Sequence, residues 1–289
     1  MTTKDKKPTG QTKPVMIPLS KLHPFPEHPY KVQDNEEMDR LVESIEQHGI
    51  LSPILARPIE GSDGEYEIIS GHRRCHAAEE AYLTAVPTIV CNLTRDEAAI
   101  LLVDSNLHRE HLLPSEKAFA YKMKFDALKH QGKTSGQVGP KLTVDAVSDE
   151  DSGRQVKRYI RLTNLIPPLL TLMDEGRIAF TVGVELSYLT REEQRAVLEA
   201  IELYDCTPSY SQACRLHHDS EMMYAADTRK RILSVMSEEK PNQREQIRLR
   251  RDRLQQYFPA DYTDKQIEND IIAGLDLLKK QRYRDRGAR

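Results

Sequence analysis

Every strand-like run in this 289-residue sequence lies before Thr94, and that confinement restricts the fold more than any other feature. The runs are SPILARPI from Ser52, YEIIS from Tyr66 and AVPTIVCNL from Ala85. Each is short and apolar, bounded by turn or polar residues, as strands of a small sheet are. A helix is predicted to open near His72, between the second and third runs. Beyond Thr94 the apolar residues recur only at helical spacing. The chain therefore divides into a mixed α+β part over residues 15–107 and an all-helical remainder.

Helix starts are legible because a Ser, Thr or Asp followed three residues later by Glu or Gln satisfies two orphan backbone donors reciprocally. Asp34/Glu37, Thr94/Glu97, Ser152/Gln155, Thr190/Glu193 and Thr263/Gln266 fit this pattern. The first opens a helix with an apolar stripe of Met38, Leu41, Val42 and Ile45, and Gly49 is placed to end it in the left-handed conformation. A further helix is predicted from Ser115 to His130, before the turn-rich QGKTSGQVGPK. Pro167 and Pro168 are expected to stop the helix carrying RQVKRYIRLTNL, with more helix through Tyr204. Residues 1–14 read as a disordered tail, 108–210 as a helical domain, 211–245 as a polar linker or hinge, and 246–289 as a C-terminal helical segment with a basic tail. In the last segment Ile267, Ile271, Leu275 and Leu278 share a face.

Composition bounds the function. No run approaches the ~18 apolar residues that a bilayer span needs, and the first residues lack the apolar core of a secretory signal, so the cytoplasm is the expected location. The cysteines Cys75, Cys91, Cys206 and Cys214 form no CxxC pair and read as reduced thiols; with His217 and His218 the latter two match no common zinc spacing. The formal net charge of −3 means that any nucleic-acid contact must come from a local basic patch.

One such patch is IISGHRRCHAAEEA, at a strand-to-helix corner. Gly71 allows the backbone to turn closely, and the free N–H groups of the following helix favour an anion. Arg73 and Arg74 add guanidinium forks that match phosphate oxygens bidentately. Upstream, HGILSPILARP places Gly49 at a helix end, Pro53 before a strand and Arg57 at its far end. Downstream, DSNLHREHLLPSEKA places Asn106 and Arg109 three apart, on one helical face if the helix from Thr94 continues.

This order, a glycine-proline strand, then G-x-R-R at a helix start, then N-x-x-R at a helix end, resembles the N-terminal domain of the ParB-type partition proteins and their nucleoid-occlusion relatives. The resemblance implies a nucleotide-binding domain over residues 15–107 with a pocket for cytidine triphosphate and magnesium. In it Gly71, Arg73 and Arg74 grip the phosphates, Asn106 sits near the metal, and Gly49, Pro53, Arg57, His72 and Arg109 belong to the same site. The family glutamates after the glycine and before the asparagine are His72 and Ser105 here. That removes two carboxylates suited to magnesium and to positioning water, so the resemblance implies binding more than hydrolysis, with a weak CTPase at most. The domain is also similar to sulfiredoxin, but Cys75 lies beyond both arginines, where it cannot serve as that nucleophile, and reads as a packed core thiol.

DAVSDEDSGRQVKRYIRLTNL has the features of a helix-turn-helix whose second helix starts at the Ser152 cap. Arg154, Lys157, Arg158 and Arg161 fall on one side, and Val156, Ile160 and Thr163 on the other. Arg154 and Gln155 are the expected base readers, because guanidinium and amide groups match purine edges, and the flanking charges hold phosphates. Glu150 and Asp151 crowd the turn with negative charge. The family resemblance extends over residues 15–204 and implies a nucleoid-associated protein that binds double-stranded DNA as a homodimer, at a palindromic site, with a ParA-like ATPase as a further partner. Such a dimer closes as a nucleotide-dependent clamp. The alternative is a transcriptional or plasmid-maintenance regulator whose first domain has lost its ligand. An enzyme of the phosphoryl-transfer class would show a P-loop or kinase signature, and neither is present.

Overall fold

The computed structural model describes residues 13–32, 34–109, 112–134, 144–222 and 228–238, with short stretches between 257 and 275. The chain divides into two compact units, Met1–Glu238 and Glu239–Arg289.

The first unit opens with a mixed five-stranded sheet made of β1 (Val15–Pro18), β2 (Leu22–Pro24), β3 (Ile54–Pro58), β4 (Tyr66–Ser70) and β5 (Ala85–Val90), in the order β1-β5-β3-β4-β2. The three strands expected from the sequence are its centre. The two edge strands were not expected: VMIP and LHP are too short, and too broken by Pro18 and Pro24, to show a period of two. Pairing is antiparallel for β1/β5 and β3/β4 and parallel for β3/β5 and β2/β4.

Helices α1 (Glu36–His48) and α2 (His72–Glu80) pack on each other and, with the sheet, enclose a core that includes Met38, Ile45, Ile54, Val86 and Cys75. The α1 cap is Asn35, not Asp34: its side chain accepts from the Met38 N–H at 3.1 Å. Asp34 instead accepts from His76. Gly49 ends α1 at φ +68° as expected, its N–H donating to the Ile45 carbonyl at 2.8 Å. Burial pushes the Cys75 thiol up to about 11, as suits a packed and unreactive cysteine.

α3 (Arg95–Leu107) starts at a complete Thr94/Glu97 capping box and lies against α4 (Pro114–Thr134). Their core takes in Phe25, Tyr30 and Ile69 on one side and Val147 and Val156 on the other. Apolar packing therefore runs across the expected boundary at residues 107/108.

The expected first helix of the helix-turn-helix is, among the described residues, a single 3-10 turn at Val144–Ala146. Residues 135–141 of the expected turn-rich stretch lie outside the description. α5 (Gly153–Leu162) follows as expected, with the Ser152 side chain accepting from the Gln155 N–H at 3.3 Å. It ends at Thr163, before the prolines are reached. Pro167 and Pro168 do not stop a helix but begin one, α6 (Pro167–Asp174), because proline at the first helical positions gives up no hydrogen bond.

α7 (Phe180–Leu186) and α8 (Arg191–Tyr204) complete the support of α5. At Gly183 an added Cβ would lie 2.8 Å from Met173 Sδ, so a larger residue would require the Met173 side chain to shift. Gln194 is buried and joins three segments: it accepts from Ile166 N–H and donates to the carbonyls of Asn164 and Leu189.

The expected linker over 211–245 is contradicted where it is described. α9 (Tyr210–Met222) and α10 (Thr228–Met236) are helices whose Ala213, Leu216, Ile232, Val235 and Met236 join the same core as α5–α8. Their polar outer faces and the stretch between them masked the apolar stripe. In the second unit Ile267 and Ile271 are half-buried and Leu275 is exposed. The expected tail at residues 1–12, the segment 239–256 and Leu278 lie outside the described residues.

Candidate functional site

The corner between β4 and α2 forms one wall of a concavity of about 460 Å³. Gly71 caps α2 at φ +106°, and an added Cβ would lie 2.7 Å from Ile54 Cδ1, so the close turn requires glycine. Arg73 and Arg74 line the wall on the first turn of α2. Arg73 pairs with Glu37 of α1 at 3.3 Å, on the facing wall. Arg74 donates through Nη1 to the carbonyls of Ser52 and Pro53, the latter at 2.9 Å, which fixes the guanidinium beside the start of β3.

The C-terminal end of α3 supplies Ser105, Asn106 and, just past the helix, Arg109. Asn106 is buried and donates through Nδ2 to the Leu102 carbonyl at 2.7 Å and to Ser105 Oγ at 3.2 Å. The Arg109 guanidinium stands 5.5 Å from the centre of the Tyr30 ring. Gly71, His72, Arg73, Arg74, Asn106 and Arg109 thus converge as expected.

Gly49, Pro53 and Arg57 do not line the pocket. Gly49 is the α1 stop, and Pro53 contributes only its carbonyl to Arg74. Arg57 is 4 % exposed and donates through Nε to Glu67 at 2.7 Å, a buried ion pair between β3 and β4 that leaves it no reach to a ligand. The sequence reading missed the α1 wall and the loop after β2, which adds His28, Tyr30 and Lys31. Its residues sit in the proline-rich HPFPEHPYK, whose only signal was a histidine, a tyrosine and a lysine in a short loop.

The electrostatics of the pocket are cationic, and its two histidines are half-buried. His28 and His72 face each other with ring centroids 3.8 Å apart and planes at 40°. Burial, then the neighbouring His28 and Arg109, push His72 down to about 3, so it is neutral at physiological pH. His28 is lowered chiefly by burial as well, and burial raises the Tyr30 phenol far above its ordinary value. Lys31 is tied away from the wall: its N–H donates to Glu116 Oε1 at 2.9 Å and its ammonium lies 3.5 Å from Asp174.

The lining fits a polyphosphate better than a magnesium ion. Arg73, Arg74 and Arg109 supply cations, and the helix start supplies N–H donors. The lining carboxylate, Glu37, is already engaged by Arg73, and magnesium prefers free carboxylate oxygens. Outside the pocket Asp34, His76 and Glu80 bring ligand atoms within 4.8 Å of one another, but they pair among themselves, joining the residue before the α1 cap to α2.

On α5, Ser152, Arg154 and Lys157 are exposed, whereas Gln155, Arg158 and Arg161 are half-buried. Arg158 lies over the Phe180 ring at 4.9 Å and donates to Gln155 Oε1 at 3.2 Å. Arg161 lies over Tyr188 at 3.9 Å, and Tyr188 in turn stacks on His217 at 4.1 Å. These contacts hold both guanidiniums extended along one face. The acidic turn is also neutralised internally: Asp151 accepts from Lys117 and Tyr121, each at 2.7 Å, and Glu150 from His108 at 3.0 Å.

The ParB N-terminal domain family matches residues 2–107. The chromosome-partitioning protein Spo0J of Thermus thermophilus is 35 % identical over 199 residues, which cover 69 % of this chain and 68 % of that protein. The chain belongs to the ParB/Spo0J family. A nucleoid occlusion protein of Geobacillus sp. is 40 % identical over 105 residues, which cover 36 % of this chain and 37 % of that protein. The C-terminally truncated ParB of Caulobacter crescentus, solved in complex with CTP-γ-S, is 24 % identical, with 65 % of this chain and 98 % of that chain covered at a TM-score of 0.32. Among the described residues no helix is long and apolar enough to cross a membrane.

Proposed function

We propose that this ParB-family chain is a DNA-binding partition protein whose N-terminal pocket takes up cytidine triphosphate. The observation that carries the reading is the convergence of three chain segments on one concavity: His28 and Tyr30 from the loop after β2, Arg73 and Arg74 from α2, and Arg109 just past the end of α3. A triphosphate is the ligand class whose charge matches that set and whose oxygens match guanidinium forks and helix N–H groups.

DNA is held by the exposed start of α5. Arg154 and Lys157 reach outward, and Arg158 and Arg161 are steadied on aromatic rings beside them. Family membership supports a homodimer on a palindromic site, a clamp whose closed form is favoured by nucleotide, and a ParA-like ATPase as partner. In such a clamp the nucleotide shifts the balance of open and closed dimers through its different affinity for each. Hydrolysis forms no part of the proposal, because His72 and Ser105 stand where the related proteins carry carboxylates.

Equilibrium binding of CTP, UTP, ATP and GTP to the full chain tests the pocket, and retention of fragments of the host genome tests α5. CTP should bind in preference, and Arg73→Ala and Arg74→Ala should each abolish binding while site recognition on DNA persists. Equal nucleotide affinity in parent and variants would overturn the assignment.

A further inference from the structure

We propose that the stacked His28 and His72 imidazoles form a proton-accepting pair that takes up one proton when a polyphosphate enters the pocket, so that the protein binds its anionic ligand more tightly as the medium becomes more acidic. The inference rests on the reading of the pocket as a phosphate site and adds a regulation that this chain's own residues supply, since His72 occupies the position after the corner glycine.

The geometry defines where the proton goes. His28 Nδ1 donates to the Tyr30 carbonyl at 2.7 Å, so the neutral ring carries its lone pair on Nε2. His72 Nε2 accepts from the Phe25 N–H at 3.4 Å, so its hydrogen resides on Nδ1. Protonation of His28 at Nε2 breaks neither contact. Protonation of His72 would set two N–H groups against each other and release Phe25. One proton from solvent therefore enters at His28 Nε2, and the second ring stays neutral beneath it.

The surroundings explain why the empty pair is neutral and what reverses that. Burial disfavours an imidazolium on either ring, and Arg109, Lys31, Arg73 and Arg74 line the same pocket. The carboxylates facing the pair are committed elsewhere: Glu37 of α1 to Arg73, Glu116 of α4 to the N–H groups of Lys31 and Leu113, and Asp104 of α3 to Lys124. A bound triphosphate brings several negative charges to within reach of rings whose neighbouring carboxylates, among the described residues, are already paired. An imidazolium then becomes favourable, and binding and protonation reinforce each other by linkage.

Isothermal titration of CTP and of inorganic tripolyphosphate into the full chain, at pH 6.5 in two buffers of contrasting ionisation enthalpy, counts the protons taken up. The parent should take up about half to one proton more than His28→Gln, and its Kd for either ligand should fall by up to about tenfold per pH unit relative to that variant, the limit for one linked proton. His72→Gln, which removes the stack but leaves Nε2 of His28, should also alter the count, and circular dichroism shows whether each variant is folded. NMR titration of the parent's own histidine ring protons, with and without tripolyphosphate, gives the same answer without substitution: the His28 resonance should titrate at higher pH with ligand. Binding with identical proton counts in parent and variants, and an unmoved His28 titration, would overturn this inference alone. No binding of either ligand at any pH would overturn the phosphate reading as well.

Discussion

Asp151, in the turn that leads into α5, is held by the Lys117 ammonium at 2.7 Å and by the Tyr121 hydroxyl at 2.7 Å. The carboxylate two residues before α5 is thus turned inward onto α4. Two further residues at the start of α4 continue the link. Ser115 donates to Asp174 through its N–H at 3.0 Å and its hydroxyl at 2.5 Å, and Glu116 accepts from the pocket residue Lys31 at 2.9 Å. Three consecutive side chains therefore join the pocket loop, α6 and the turn before α5.

Lys117→Met should leave the Asp151 carboxylate, about one-fifth exposed, without its cation. A loss of ~1–2 kcal/mol in stability is expected, the scale for a charge-assisted bond in a partly wet site. Chemical denaturation measures it, and DNA affinity should fall in parallel as the carboxylate swings toward phosphate. Burial pushes the Asp151 carboxyl up, but Lys117 and Tyr121 outweigh it and leave it below the usual range. Because the folded value is depressed, this contribution is present above the unfolded carboxylate value and disappears as pH falls through the folded one. Lys117→Met should flatten the acid limb below about pH 4, near the unfolded aspartate value. An unchanged acid limb would count against the contact.

Gly71→Ala combines a φ of +106° with a Cβ 2.7 Å from Ile54 Cδ1 and 3.1 Å from Arg74 Nη2. The expected cost is ~1–3 kcal/mol from backbone strain and local overpacking. Displacement of Arg74 should also remove nucleotide binding. A melt within a degree of the parent, with binding intact, would show that the corner is more adaptable than its geometry implies.

The corner and its two arginines were legible because glycine at a strand end and charge on the first helical turn are local signals. So were the Thr94 and Thr190 capping boxes, both formed as read. The misplacement of Arg57 has a different cause. Its partner, Glu67, lies ten residues away on the neighbouring strand, and strand pairing is not written in either segment. His28 and Lys31 escaped for the same reason: what brings them to α2 is the parallel pairing of β2 with β4, a long-range contact. Residues 211–222 and 228–236 were misread because their polar and breaker content outweighed five apolar residues, although Gln212 already satisfied its own helix start by accepting from Ser209.

Ligand-free protein should lose stability as pH falls below about 6.5, the ordinary histidine value. His72 is held down to about 3, first by burial and then by His28 and Arg109. Its folded value is depressed, so the neutral ring's contribution is complete above the unfolded value and is lost as pH falls toward the folded one, where the unfolded chain binds the proton and the folded chain does not. Thermal melts between pH 7.5 and 4 should show a shallower decline for His72→Gln than for the parent. Parallel curves would mean that the ring is not kept dry.

Lys157 and Arg161 should affect DNA binding by different routes. Lys157 is exposed on α5, so Lys157→Ala should remove one phosphate contact and lower the slope of log K against log salt by about 0.9. Arg161 is placed by the Tyr188 ring, 3.9 Å from its guanidinium carbon. Tyr188→Leu keeps every charge on α5 yet removes the platform, and so should weaken binding several-fold while the salt slope changes little, a loss on the order of 1 kcal/mol for a partly desolvated cation–π contact. Fluorescence anisotropy with a labelled duplex over 50–300 mM salt separates the two. If Tyr188→Leu alters the slope as much as Lys157→Ala does, the ring is not what positions Arg161; if neither changes affinity, α5 does not face the duplex.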